Sequence, residues 1–401
     1  MVSLNQLAAS PNILADDYTA AKVCSRIMLT GHIHQPTPDC AKKGYEEHWH
    51  ALNSYGEERM ELVFKKAWEV RAGFADLIDT KPDRLALDVS VHDLVIRFLS
   101  ALPLRKRPKI VTTDGEHPSV LRQLRRLKLE GIEVVEVSEE PASTVVERVS
   151  ALVDERTAAV MISSVFADTG HQALELDVLA PVCRAKGAQL FVDAYQSVNV
   201  QAFSISDYDL EDAFVVGGGA KYCQLGNGNC FMHIPDTQDW RPVITGWYGI
   251  FDPTQKNASR EPLLYAGEGE GKPAQRFDGS TYDAMPHFRA AHVFNYFKQN
   301  GLTPELLEDN NHRQLYLMAN SIEGCDFDPN VICLSTDVEY MGGFISFRTP
   351  HARLLSEQLR DVGVHTDYRQ GLLRMGPAPY LSDEQLLDGI HALEECVRNL
   401  R

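Results

Sequence analysis

The chain has 401 residues, 44% of them hydrophobic, with a formal net charge of −17 and a pI near 5.3. That length can bury a large core and form more than one domain, and the acidic balance excludes a nucleic-acid surface, which needs a basic stripe. No apolar run reaches the length of a membrane span and no basic-then-apolar leader opens the chain, so a cytoplasmic protein with no membrane partner is expected.

Residues 11–27, PNILADDYTAAKVCSRI, read as a helix with Asp16 or Asp17 near its start. In the next stretch, MLTGHIHQPTPDC, Gly31, Pro36 and Pro38 stop regular structure. Its histidines, His32 and His34, have no acidic or cysteine partner at ligand spacing, and the eight cysteines of the chain form no CxxC pair. Neither a metal site nor a disulfide framework is therefore expected. Apolar residues at helical spacing from Trp49 to Trp68, interrupted near Gly56, predict two helices. After Pro82 a short strand turns into a helix through Asp88, Ser90 and His92. A helix start leaves backbone N–H groups free, which serves a phosphate well, although the P-loop pattern is absent.

From Pro108 to Ala194 strands alternate with helices: PKIVTT, IEVVEV, AAVMISSVF and QLFVDA are the strands. Such alternation predicts an α/β protein with a mostly parallel sheet covered on both faces, its ligands lying beyond the carboxyl ends of the strands. No GxGxxG joins a first strand to a helix, which removes a dinucleotide site. His117, following KIVTTDG and Glu116, is suited by its intrinsic pKa to proton transfer and its ring can lie on an aromatic cofactor.

Two later strands end in chemistry. QLFVD ends at Asp193, and FVVGGG is followed by Lys221, the only lysine between Lys186 and Lys256. An amine is costly to bury, and a surface lysine needs no glycine run before it. Pyridoxal phosphate requires a lysine for its Schiff base and a carboxylate to keep its pyridine nitrogen protonated, so that the ring can accept electrons. Asp193 and Lys221 supply both groups. Gln196 can donate to the cofactor's phenolic oxygen without titrating.

After Pro286, two helices, the strands VICLST and GGFISFRT, and two further helices predict a smaller domain. Between its last two helices Arg374 ends a short apolar strand just before GPAP. A guanidinium held there is a fork for a planar carboxylate.

The region around Asp193, Ala194, Gln196 and Lys221 resembles the class V aminotransferase-like family of fold-type I pyridoxal phosphate enzymes, which includes aminotransferases, cysteine desulfurases and kynureninase. The resemblance implies an N-terminal segment, residues 1–49, that joins the small domain and lines the active site. It further implies a large three-layer α/β/α cofactor domain, residues 50–286, and a small α+β domain, residues 287–401. It assigns the cofactor phosphate to Ser90 and Val91, the latter through its backbone alone, ring stacking to His117, and a substrate-pocket position to His32. Trp247, within residues 244–253, and Ser280 with Thr281 match segments that reach the cofactor from a partner subunit, which implies a homodimer with shared active sites.

The C-terminal DYRQGLLRMGPAP resembles the Asp-x-Arg and Leu-Arg-x-x-Pro-x-Pro pattern of kynureninase, whose arginine grips the substrate α-carboxylate; Arg374 is the match. Ala220 and Gln196 stand where kynureninase has tyrosine and histidine, and Ser280–Thr281 where it has a Ser-Asn-Pro-Pro element. Three activities remain open on an amino acid substrate. One is kynureninase-like side-chain cleavage by hydrolase or lyase chemistry. A second is that of a class V aminotransferase, cysteine desulfurase or C–S lyase, though the flanks of Cys325 do not resemble the desulfurase cysteine loop. The third is a retired structural or regulatory homologue, against which an intact Asp193, Lys221 and Arg374 argues.

Overall fold

A computed structural model describes residues 1–400 apart from 55, 238–239, 251–273 and 336. A seven-stranded sheet is built from β1 (Leu85–Asp88), β2 (Lys109–Thr113), β3 (Glu133–Val137), β4 (Thr157–Ser163), β5 (Gln189–Asp193), β6 (Phe214–Gly218) and β7 (Cys230–His233). Their spatial order is β1-β7-β6-β5-β4-β2-β3; β7 is antiparallel to both neighbours and all other pairs are parallel. Every residue of β4, TAAVMIS, is buried, as expected of a strand covered on both faces. Alternate residues feed two separate cores: Val160 and Ile162 pack with Val70 and Phe74 on one face, Ala159 and Met161 with Leu94 and Phe98 on the other.

The covering helices follow from local signals. Helices α1 (Lys42–Leu52) and α2 (Gly56–Leu77) part at the expected break. Helix α3 (Val91–Ala101) starts at Ser90, whose hydroxyl accepts the Asp93 N–H at 3.2 Å. Helix α4 (Pro118–Leu129) is capped by His117, and α5 (Leu179–Lys186) ends at Gly187 in the left-handed region, φ 65°.

Beyond the large sheet come α6 (Met285–Asn300), α7 (Pro304–Glu323), α8 (Ala352–Asp361) and α9 (Asp383–Arg398). They accompany a small antiparallel sheet of β8 (Cys333–Leu334), β9 (Ile345–Arg348), β10 (Asp367–Arg369) and β11 (Leu372–Met375), ordered β10-β11-β9-β8. The N-terminal segment reaches this part of the molecule, because Ile27–Met28 pairs with Val364–His365. Among the described residues no helix is long and apolar enough to cross a membrane.

One expected element is corrected. Residues 11–27 do not form a helix: Ala15–Ala21 is a 3₁₀ turn broken at Tyr18, φ −125°, and ended by Lys22 at φ 57°. Tertiary partners outweigh the local pattern there. Tyr18 is fully buried with its hydroxyl on Gln224, and the Thr19 N–H is held by Asp39 at 2.9 Å.

Candidate active site

A cavity of about 670 Å³ opens beyond the carboxyl ends of the central strands and brings together His32, Ser90, Val91, His117, Asp193, Gln196, Lys221 and Arg374. Asp193, at the end of β5, lies opposite Ser163 of β4 and Val216 of β6. Its Oδ1 accepts the Tyr195 N–H at 2.9 Å. Burial raises the carboxyl pKa, and that N–H, His117 and Lys221 oppose the rise.

Lys221 follows β6 after Gly219 and Ala220. Removal from bulk water brings its pKa down to about 7; Arg374 and Arg369 push the same way, whereas Asp193 and Asp168 oppose them. Its Nζ lies 4.9 Å from the centre of the Tyr195 ring. That ring explains one of the preceding glycines, since a Cβ on Gly218 would stand 2.5 Å from Tyr195 Cε2. The Tyr195 hydroxyl also accepts the Ala220 N–H at 3.2 Å, tying the lysine's backbone to the Asp193 turn.

His117 faces the cavity from the cap of α4, its Nδ1 accepting the Ser119 N–H at 3.3 Å. Loss of hydration lowers its pKa, with Asp193 opposing, so the ring is held neutral. Glu116 points into the protein and fixes the turn that presents His117. It accepts the Thr113 hydroxyl at 2.6 Å and the Ser163 N–H and hydroxyl at 3.0 and 2.6 Å, and burial lifts its pKa to about 7.

Across the cavity, the first turn of α3 offers backbone N–H groups beside Ser90. Gln196 gives one amide proton to the His32 carbonyl at 3.2 Å, and its Oε1 is buried without a partner. His32 itself is fully buried and stacks on Phe344, centroids 4.4 Å apart. Neither of its ring nitrogens has a hydrogen-bond partner.

Arg374, in β11 and 4% exposed, donates from Nη1 to the Ala167 carbonyl at 2.6 Å and from Nη2 to Asp367; its Nε is buried and unpartnered. Three of the expected residues are not brought to this cavity by the chain. Trp247 is 40% exposed, Ser280 and Thr281 are exposed, and none lines it. They do share a surface, because the Tyr248 N–H bonds the Gly279 carbonyl at 2.9 Å. Residues 251–253 of the tryptophan motif lie outside the described residues.

Sequence reasoning did not single out Tyr195, Phe344 or the ion pairs around Arg374. For Asp367 and Arg369 a signal existed in the Asp-x-Arg pattern; for Phe344 there was none, since it meets His32 only through the fold. The residues present fit pyridoxal phosphate. A buried carboxylate, a desolvated amine, a neutral imidazole and a helix N-terminus converge on one cavity, and Gln196 lies in its wall.

Residues 30–226 match the family model described as Aminotransferase class-V. A kynureninase of Xanthomonas campestris pv. campestris is 25% identical over 336 residues, covering 77% of this chain and 75% of its own. The cysteine desulfurase IscS of Shewanella halifaxensis is 24% identical, covering 100% of this chain and 93% of its own. Among solved structures, a mutant of C-DES with glycine covalently linked to its PLP cofactor superposes with a TM-score of 0.81 at 16% identity, covering 95% of this chain and 98% of that one. The expected fold-type I architecture is thus the observed one, and over residues 30–226 the chain is similar to the class V aminotransferase family of pyridoxal phosphate-dependent enzymes.

Proposed function

We propose that the chain holds its cofactor through Lys221 and cleaves the side chain of an amino acid by kynureninase-like hydrolase or lyase chemistry. The observation that carries this reading is Arg374, buried in the same cavity as Lys221 and keeping an unpartnered Nε. When bound, pyridoxal phosphate supplies an electron sink for the carbon that bears the substrate amine.

The chain's own residues do the rest. Asp193 would hold the proton on the pyridine nitrogen, and Ser90 with the first amides of α3 would hold the phosphate. Lys221, with a pKa of about 7, is available unprotonated near neutrality and can hold a proton afterwards. His117 faces the same cavity as a neutral ring, suited to lie against the cofactor. Arg374 would fix the α-carboxylate and so orient the substrate in the cavity.

A desulfurase working through a cysteine nucleophile is disfavoured. Cys230 alone among the eight cysteines lines the cavity, and burial pushes its thiol up to about 12. An aminotransferase or C–S lyase is the second reading, favoured by the Glu116–His117 pair. Incubating the purified holoprotein with a panel of amino acids and identifying products by mass separates them. Alanine with a carboxylic acid from the side chain supports the proposal; a keto acid or sulfide replaces it with the second reading, and no product with any amino acid points to a retired enzyme.

The proposal includes a homodimer with shared sites. Val243 is 83%, Ile244 49% and Trp247 40% exposed, beside exposed Ser280 and Thr281, an apolar surface suited to burial against a second copy. Mixing Lys221→Ala chains with chains carrying Ser280→Ala and Thr281→Ala should restore activity, because one site of each mixed dimer then regains all its residues. No recovery from mixed dimers shown to have formed would mean that the loop serves its own chain.

A further inference from the structure

The substrate's carboxylate site already holds a carboxylate. Asp367 lies directly across from Arg374 in the β10–β11 pair, and its Oδ2 bonds Arg374 Nη2. The same oxygen is 3.7 Å from Nε2 of His32. A second acid, Asp168, is 3.8 Å from Nη1 of Arg374 but is committed elsewhere, accepting from Arg369 at 2.9 Å and from Gln370 at 3.1 Å. Among the described residues Asp367 has no such further partner. It also sits on an edge strand of three residues with its side chain 23% exposed, so turning it disturbs little packing.

His32, by contrast, is immobile and incomplete. Its ring is clamped against Phe344, its carbonyl is held by Gln196 at 3.2 Å, and the neighbouring Gly31 N–H bonds the Gly376 carbonyl at 2.9 Å. Gly376 carries no side chain because a Cβ there would lie 2.5 Å from Nδ1 of His32. A fully buried imidazole with both nitrogens unpartnered is an unfavourable arrangement that a second state of the site can relieve. Three charged groups face it: Asp367 from β10, Arg374 from β11 and Lys221 from the turn after β6. Burial, Arg374 and Lys221 together keep it neutral in the resting site.

We propose that Asp367 is an exchangeable occupant of the carboxylate site: the substrate carboxylate displaces it from Arg374, and Asp367 turns to His32, which takes up one proton. This rests on the reading of Arg374 as the carboxylate anchor. Two carboxylates on one guanidinium repel each other, so the incoming anion supplies the drive for Asp367 to leave. The new anion also offsets the Arg374 charge that disfavours an imidazolium, and Asp367 becomes its counter-ion. Charge balances: one carboxylate leaves the guanidinium, one replaces it, and one proton passes from solvent to His32. His32 and Asp367 are then positioning residues that admit a carboxylate-bearing substrate together with a proton. Because the bound state holds the extra proton, affinity is greatest at low pH and falls as pH rises through the pKa of His32 in the complex.

Propionate is a suitable probe, since it carries the carboxylate but no amine to react at Lys221. Titrated calorimetrically into the holoenzyme in two buffers of different ionisation enthalpy near pH 7.5, it should draw about one proton per molecule bound, and between the free-site and bound-state pKa of His32 its affinity should fall about tenfold per pH unit. His32→Gln should abolish the proton uptake. Asp367→Asn should tighten propionate by about tenfold or more and remove the pH dependence, because no charged occupant remains to be displaced. Binding by wild-type protein without proton uptake, or weaker binding by Asp367→Asn, overturns the exchange and makes Asp367 a fixed support of the guanidinium. Arg374→Gln that leaves propionate affinity unchanged overturns the anchor itself, a separate result from failure of the exchange.

Discussion

Replacing Lys221 by alanine is expected to lower turnover by on the order of 10⁴-fold or more, the scale reached when a covalent nucleophile is lost, while the protein folds at least as well as before. The activity loss follows from position: Lys221 is the amine in a cavity that also presents Asp193, His117 and the α3 N-terminus. The stability expectation follows from its pKa, lowered from 10.5 to about 7 chiefly by desolvation. Between those values the unfolded chain binds the proton that the folded cofactor-free chain does not, so the lysine's cost to folding is full below about pH 7 and fades as pH rises towards 10.5. Cofactor-free Lys221→Ala should therefore melt at or above the wild-type temperature at pH 7, with the gap closing in alkali. Thermal melts at both ends of that range check the sign. A lower melting temperature at pH 7 would make Lys221 a structural residue.

Replacing Arg374 by lysine is expected to weaken amino acid binding by about 1 to 3 kcal/mol with cofactor content unchanged. Lysine keeps the charge but loses the fork. The wild-type guanidinium spends Nη1 on the Ala167 carbonyl, and displacement of Asp367 frees Nη2 to act with the unpartnered Nε as a side-on fork for a carboxylate. A single ammonium cannot hold the strand contacts and present that edge together. Titrating variant and wild type with the best amino acid from the product panel, and following the cofactor spectrum, measures the difference. Equal affinities would remove Arg374 from the substrate site.

The parts of this site legible in the sequence are those where chemistry and local pattern coincide. Asp193 ends one apolar strand and Lys221 lies just beyond another, and a carboxylate or an amine at such a place has little reason to be there except a ligand. Ser90 announced both the α3 start and its free amides. Strand order was not legible: β7 enters antiparallel between its sequence neighbour β6 and the distant β1, and no local residue encodes the pairing with β1. The failure over residues 11–27 has the same origin, for Tyr18 and Thr19 answer to Gln224 and Asp39 rather than to their neighbours. His32 read as one of two loop histidines, and only Phe344, Asp367 and Arg374 make it a buried group of the site. For Trp247, Ser280 and Thr281 the pattern matched a family segment, yet one chain alone leaves them at its surface.

The proposed mechanism depends most on Lys221 as the residue that carries the cofactor. Borohydride reduction of the purified holoprotein, followed by proteolysis and mass mapping of the modified peptide, tests this without reference to any substrate. The cofactor mass is expected on Lys221 in the peptide that follows Gly217, Gly218 and Gly219, in one copy per chain and absent from Lys221→Ala. Label on another lysine, or fully loaded protein that takes no label at all, would contradict it.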